Sequence, residues 1–329
     1  MLCVAEWIMP TEIKTLQQAV IHFAKAENCH EFMVNLRWSY GRVKCPRCGS
    51  DDVSYLPNAK VFKCYKKPEH DKAKFSLKVG TIFEDSPIGL EKWLPVMWML
   101  VNCKNGISSW EVHRAVGVTQ KTAWFMLQRC RLAMQDELTG GKLSGQVEVD
   151  ETYIGGKARN MHRARRIRAG VQGPSKGKTI VLGMLQRAGK VVATVIPDRT
   201  KQVMQENVKP HIEPGSNIFS DEAGDHWRME GFTHETVNHM EAYVQGNVHT
   251  NGLENFWSLL KRGIGGTYVS VEPFHLFRYI DEQAFRFNNR KPMNDAQRFT
   301  YAMRKIVGKR LTYAELTGKT EVGTSDEPF

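Results

Sequence analysis

No stretch of this 329-residue chain is apolar for long enough to cross a bilayer. The longest apolar patch, Trp93 to Val101, is interrupted by Pro95 and flanked by Lys92 and Lys104. A basic segment leading into a signal-type apolar core is also missing, so nothing reads as a secretory leader. There is no internal repeat and no low-complexity tract, so the chain is not a repeat array. Cysteine is scarce, with 7 in all, an odd number, and a single closely spaced pair. That excludes a disulfide framework and fits reduced thiols in the cytoplasm. Acid is in short supply relative to base: 35 Asp and Glu face 46 Lys and Arg, a formal charge of +11. Such an excess points to a polyanionic partner, nucleic acid above all.

What is present suffices for folded cores, since 41% of residues are hydrophobic. Residues 13–38 show helical spacing through Leu16, Ala19, Val20, Phe23 and Ala24. Residues 43–85 change character, with Gly, Pro, Cys, aromatics and strand-like pieces at 61–63 and 74–77. Helical periodicity returns over 91–137, and strands alternate with helices after Gly140 and Gly141. The boundaries expected from these shifts give an N-terminal helical segment 1–42, a metal ribbon 43–88, a helical region 89–142, an α/β domain 143–312 and a polar tail 313–329.

Cys45-Pro46-Arg47-Cys48, followed by Gly49, places two thiolates where they can clasp one tetrahedral zinc. Cys64 stands 16 residues further on, and His70, 6 residues past Cys64, is the nearby residue able to close the set. A redox pair would sit beside a βαβ pattern, which this segment lacks. So short a stretch, poor in apolar residues, needs a metal to hold a fold. In the helical region, Ser108 and Glu111 have capping-box spacing and Gly117 supplies a turn. Thr119 can cap a second helix with a stripe of Ala123, Met126, Leu127 and Cys130. Two short helices joined in this way form a helix-turn-helix pattern, whose second helix would offer Gln120, Lys121 and Gln128 to DNA. A helical hairpin that only packs has the same signature.

Beyond residue 143, Val147 and Val149 alternate with Glu148 and Asp150 in GQVEVDETYIGG. An acidic side chain on the core face of a strand is costly unless it binds something. Strands are expected at 179–185 and 191–197, a helix at 200–211, and an apolar strand ending in Asp221. A helix opening with Asn251-Gly252-Leu253-Glu254 then carries Lys261, 7 residues and two turns beyond Glu254. Three carboxylates on separate elements can hold two hard cations beside a phosphate. Asn251 with Glu254 is equally the spacing of a helix cap and its capping carboxylate.

These motifs together resemble bacterial insertion-sequence transposases of the DDE class, in the ISXO-like subgroup with an N-terminal zinc ribbon. The resemblance runs from about Ala19 to Phe287. It is carried by CPRC at 45–48, FSLKVGTIFEDSPIGLEKW at 75–93, VEVDETYIGGK at 147–157, SDEA at 220–223 and VHTNGLENFWSLLKRGIGGTY at 248–268. It implies an α/β, RNase H-like catalytic core, a mixed sheet with flanking helices, in which Asp150 and Asp221 bind Mg2+ or Mn2+. The third ligand is Glu254 or Asn251. A charged oxygen binds a hard cation better than an amide, which favours Glu254. Lys261 matches the basic residue after the family's glutamate. His70 follows an insertion-like stretch, Tyr65 to Glu69, where this chain departs from the family ribbon.

The resemblance also implies double-stranded DNA, both element ends and target, as partner, no membrane, a dimer or larger assembly on DNA, and a cytoplasmic, nucleoid-associated location. A further basic segment, residues 157–178, holds 8 Lys or Arg and no acid. Its Arg163, Arg165, Arg166 and Arg168 are expected to clamp the DNA backbone next to Asp150. Two alternatives remain open on the sequence: a nuclease of the same fold that cuts without joining, and a zinc-ribbon, helix-turn-helix regulator with an inert core.

Overall fold

The computed structural model describes residues 13–38, 41–66, 70–135, 141–156, 177–221, 227–237 and 250–318. They divide into two compact units. One takes its described residues from Met1–Cys103, Ile107–Met134 and Met293–Phe329, and the other from Lys104–Gly106 and Gln135–Pro292. This division differs from the boundaries drawn on the sequence, which ran the α/β domain to residue 312.

In the first unit, the expected helix over 13–38 is two helices, α1 (Leu16–Phe23) and α2 (Ala26–Arg37). Thr15 and Gln18 close a capping box at the start of α1. The break falls at Lys25, whose backbone is extended although it carries no breaker residue. Three antiparallel strands follow in the order β1 (Val53–Leu56), β2 (Val61–Cys64) and β3 (Lys74–Phe75). Phe62 stacks on buried Phe75 with ring centroids 5.5 Å apart.

The interrupted apolar patch proves to be one helix, α3 (Leu90–Asn102), buried continuously from Trp93 to Val101. Pro95 removes one backbone donor without ending the helix, because burial on every side outweighs that loss. Next come α4 (Ser109–Val116) and α5 (Gln120–Met134). The Ser108–Glu111 capping box forms, and Gly117 takes the left-handed conformation at φ 62° that ends α4.

Later in the chain, α9 (Asp295–Arg304) belongs to this unit because its apolar face packs here. Phe299 meets Phe23, Phe32 and Trp98 at centroid distances of 5.8, 5.5 and 5.3 Å. That packing explains why residues 293–312 leave the α/β unit. The polar tail expected from 313 opens with a short capped helix, α10 (Tyr313–Thr317), anchored by fully buried Leu316. Among the described residues, no helix is long and apolar enough to cross a membrane.

The second unit is built on a five-stranded sheet. Its strands are β4 (Gln146–Ile154), β5 (Thr179–Gln186), β6 (Val191–Ile196), β7 (Asn217–Asp221) and β8 (Thr233–Val237), in the order β6-β5-β4-β7-β8. β4, β5 and β6 pair antiparallel, whereas β7 and β8 run parallel to β4. This is the mixed sheet of an RNase H-like core. β8 has no counterpart in the sequence expectations: THETV is polar through its first four residues and too short to stand out.

Alternation along the strands sends side chains to two faces. Val147, Val149, Leu182 and Met184 form one core with Met204 and Val208 of α6 (Lys201–Val208). Val181 and Leu185 form the other. They pack with Leu253, Phe256, Trp257 and Leu260 of α7 (Asn251–Arg262) and with Leu276 and Ile280 of α8 (Leu276–Asn289).

Candidate active site

Strand β4 sets the site. Its even-numbered residues face α7, so Glu148 and Asp150 meet that helix rather than the α6 core. The cost of an acidic group there is offset by specific donors. Asp150 Oδ2 accepts the Trp257 Nε1–H at 2.9 Å. The room for this contact comes from Gly183, the cross-strand partner of Asp150. A Cβ at 183 would lie 2.6 Å from the Trp257 ring, so glycine is what lets the indole lie across the sheet.

The second carboxylate lies at the end of β7. Parallel pairing sets Val147 beside Ile218 and Glu148 beside Phe219. The pairing ends there, and Asp221, two residues on, lies within electrostatic reach of Asp150. The third comes from α7, whose buried stripe Leu253, Phe256, Trp257 and Leu260 turns Asn251, Glu254 and Lys261 outward to solvent. Asn251 is the first helical residue and Thr250 the cap, with no side-chain capping bond, so the Asn251–Glu254 capping box is not formed.

Asp221 and Glu254 also bear on the charge of Asp150. Burial pushes the Asp150 carboxyl up to about 6, and the nearby carboxylates of Asp221 and Glu254 push in the same direction against the Trp257 N–H. A carboxylate so placed favours a bound positive charge. Asp221 and Glu254 each lie within electrostatic reach of Asp150, but the three acids do not converge as tightly as the ribbon ligands described below. Arg199 also bears on this edge of the sheet. Burial opposes its charge, but its pairing with Glu151, aided by Tyr153 and Asp221, holds that charge firmly in place.

Trp257, Gly183 and Arg199 were not foreseen from the sequence. The available signal was a glycine in the middle of the apolar strand TIVLGMLQ and a tryptophan 3 residues after Glu254.

In the other unit, Cys45, Cys48, Cys64 and His70 offer ligand atoms that all lie within 4.8 Å of one another. Cys45 Sγ is 3.3 Å from His70 Nε2, and Cys48 Sγ is 3.7 Å from Cys64 Sγ. The turn that presents the first pair is closed by Gly49 N–H donating to the Cys45 carbonyl, with Gly49 at φ 72°. Burial raises the Cys45 thiol, but the N–H groups of Arg47 and Cys48, with the thiols of Cys48 and Cys64, outweigh it and favour the thiolate. Among the described residues, this is the one His, Cys, Asp and Glu cluster so close-knit. Two thiolates on one knuckle, a third on β2 and an imidazole fit a tetrahedral zinc.

The helix pair places its polar residues unevenly. Gln120 Nε2 donates to Ser109 Oγ at 2.8 Å, tying the two helices together. Lys121 is exposed, with its ammonium 4.9 Å from the Tyr313 ring centroid. Gln128, expected on the outer face, is fully buried, because the second half of α5 packs on all sides. Arg163, Arg165, Arg166 and Arg168 lie outside the described residues.

Comparison with known proteins follows the same division. Residues 142–288 match the ISXO2-like transposase domain, which includes Asp150, Asp221, Asn251, Glu254 and Lys261. Residues 25–66 match the transposase zinc-ribbon domain, which takes in Cys45, Cys48 and Cys64 but stops short of His70. A similar protein, described as an uncharacterized protein in transposable element ISH50 of Halobacterium salinarum, is 26% identical over 288 residues, covering 83% of this chain and 95% of the relative. No solved structure matches.

Proposed function

We propose that this chain is an ISXO2-like DDE transposase with an N-terminal zinc ribbon, and that it cuts element-end DNA and joins it to a target through Asp150, Asp221 and Glu254. The observation that carries this reading is the Asp150 carboxyl, half-buried beneath α7 on the Trp257 N–H and raised by its setting and two further carboxylates. Hard oxygen donors of this kind suit Mg2+ or Mn2+, not a soft metal. When bound, such ions activate the attacking oxygen and steady the leaving one. The protein's own part is to hold the three carboxylates on a rigid sheet and helix. Asp150 is oriented by the Trp257 N–H. Lys261, exposed two turns beyond Glu254, offers its ammonium to a DNA phosphate.

Two phosphoryl transfers complete the reaction. In the first, a water oxygen attacks phosphorus at the element end, and the departing 3′ oxygen takes up a proton to become a hydroxyl. In the second, that 3′ hydroxyl loses its proton and attacks a target phosphodiester, releasing the target's own 3′ hydroxyl. Cys45, Cys48, Cys64 and His70 would hold the ribbon's zinc, which when bound would keep that subdomain folded.

Asp150→Asn keeps the size of the side chain and loses the charge. Cleavage of an end-bearing duplex should fall by several orders of magnitude while DNA binding persists. Normal cleavage by Asp150→Asn, Asp221→Asn and Glu254→Gln alike would overturn the assignment. Near-normal cleavage by Glu254→Gln with loss in Asn251→Ala would transfer the third position to Asn251. A strand-transfer assay separates joining from cutting alone.

A further inference from the structure

Glu148 is a buried acid that the reaction does not use. It lies two residues before Asp150 on the same face of β4 and is 1% exposed. Its Oε2 accepts the Leu253 backbone N–H at 3.0 Å, in the first turn of α7 and next to Glu254. Its Oε1 accepts from Arg187 Nε at 3.2 Å. The Arg187 guanidinium lies 4.3 Å from the ring of Phe219, which pairs with Glu148 in register and stands two residues before Asp221. Leu253 is thus one residue from Glu254 and Phe219 two residues from Asp221, with Arg187 bridging Glu148 and the Phe219 ring.

The approach is close by design of the chain. Gly252, the second residue of the helix, lies beside Glu148, and a Cβ there would sit 2.7 Å from Oε2 and 2.3 Å from a Leu185 methyl. The two contacts between β4 and α7 are also matched in spacing. Two residues of strand advance about 6.8 Å, and the four residues from Leu253 to Trp257 rise about 6 Å. Glu148 therefore grips the first turn of α7 while Asp150 grips the second.

We infer that Glu148 is a positioning residue, fixing the start of α7 so that its acid reaches the metal site formed with Asp150 and Asp221. The helix end favours a negative charge, and Arg187 keeps that charge from being buried alone. This inference rests on the three-carboxylate reading above.

The test uses full-length, zinc-loaded protein and Mn2+ as probe, with Mn2+ affinity measured by calorimetry in the absence of DNA. Glu148→Gln removes the charge. A second variant, Glu148→Leu with Arg187→Met, replaces the ion pair by apolar groups, a change that buried pairs often tolerate. Either variant, folded, should bind Mn2+ about 10–100-fold more weakly and lose cleavage in proportion, as expected when the support of a metal site is lost. Gly252→Ala should do the same, and combined with Glu148→Gln should add little. Unchanged Mn2+ affinity in a folded variant, alongside loss in Asp150→Asn, overturns the role of Glu148 and leaves the site intact. Unchanged affinity in Asp150→Asn overturns both. If neither Glu148 variant folds, the residue is purely structural and the inference fails.

Discussion

Single residues decide how the acids of this site are held, and Trp257 tests that most directly. Its N–H is the donor to Asp150, and its ring fills the space that Gly183 leaves open. Trp257→Phe keeps an aromatic ring and removes the donor. The protein should fold, and cleavage should drop about 10–100-fold, in the range for losing a hydrogen bond to a metal ligand. Gly183→Ala acts from the other side, driving a methyl into the indole. Overpacking of this kind costs about 1–3 kcal/mol, so urea unfolding should report lower stability along with the same loss of cleavage. If Gly183→Ala were as stable and as active as the parent, the indole would have another place to go. The acids themselves were legible in the sequence because an acidic residue alternating with valines is conspicuous. Their supports were not, because a backbone N–H, an indole and a missing Cβ carry no charge to mark them.

Elements show where sequence reading works and where tertiary packing overrides it. The capping box at Ser108, the turn at Gly117 and the end of β7 at Asp221 are local chemistry, and each forms as its residues dictate. The single helix read over 13–38 divides at Lys25, where only the packing of two separate faces accounts for a break. α3 passes through Pro95, and α5 buries Gln128, for the same reason: both helices are surrounded by apolar partners. The ribbon is an element of another kind, with little apolar interior and four ligands at one point. Cys45→Ser should therefore abolish stoichiometric zinc and open strands β1 to β3 to rapid amide exchange. The sheet of β4 to β8 should keep its protection, since its two cores owe nothing to that metal. His70→Ala tests the fourth position, and zinc content at the parental level would show that another group closes the set.

At the scale of the whole molecule, the excess of base over acid has to be placed. The formal charge is +11, and residues 157–178 alone bring 8 basic side chains with no acid. This segment leaves the sheet 3 residues after β4 ends at Ile154 and returns to it at Thr179, where β5 begins. The residues that flank it belong to the strand that holds Asp150 and to that strand's neighbour, and on the proposed function a DNA-backbone contact is expected of it. Each phosphate neutralised by a cation releases counterions, and log Kd against log salt steepens by about 0.9 per contact on duplex DNA. Replacing Arg163, Arg165, Arg166 and Arg168 by Gln removes four charges of the eight. If all four touch phosphate, the slope should flatten by about 3 to 4, and affinity should fall equally for element ends and unrelated duplexes. A fall confined to the element end would mean that these arginines read bases instead. An unchanged slope would leave the segment a solvated loop, and the polyanion implied by the charge balance would then have to be held elsewhere, by groups such as exposed Lys121, Lys261 and Arg262.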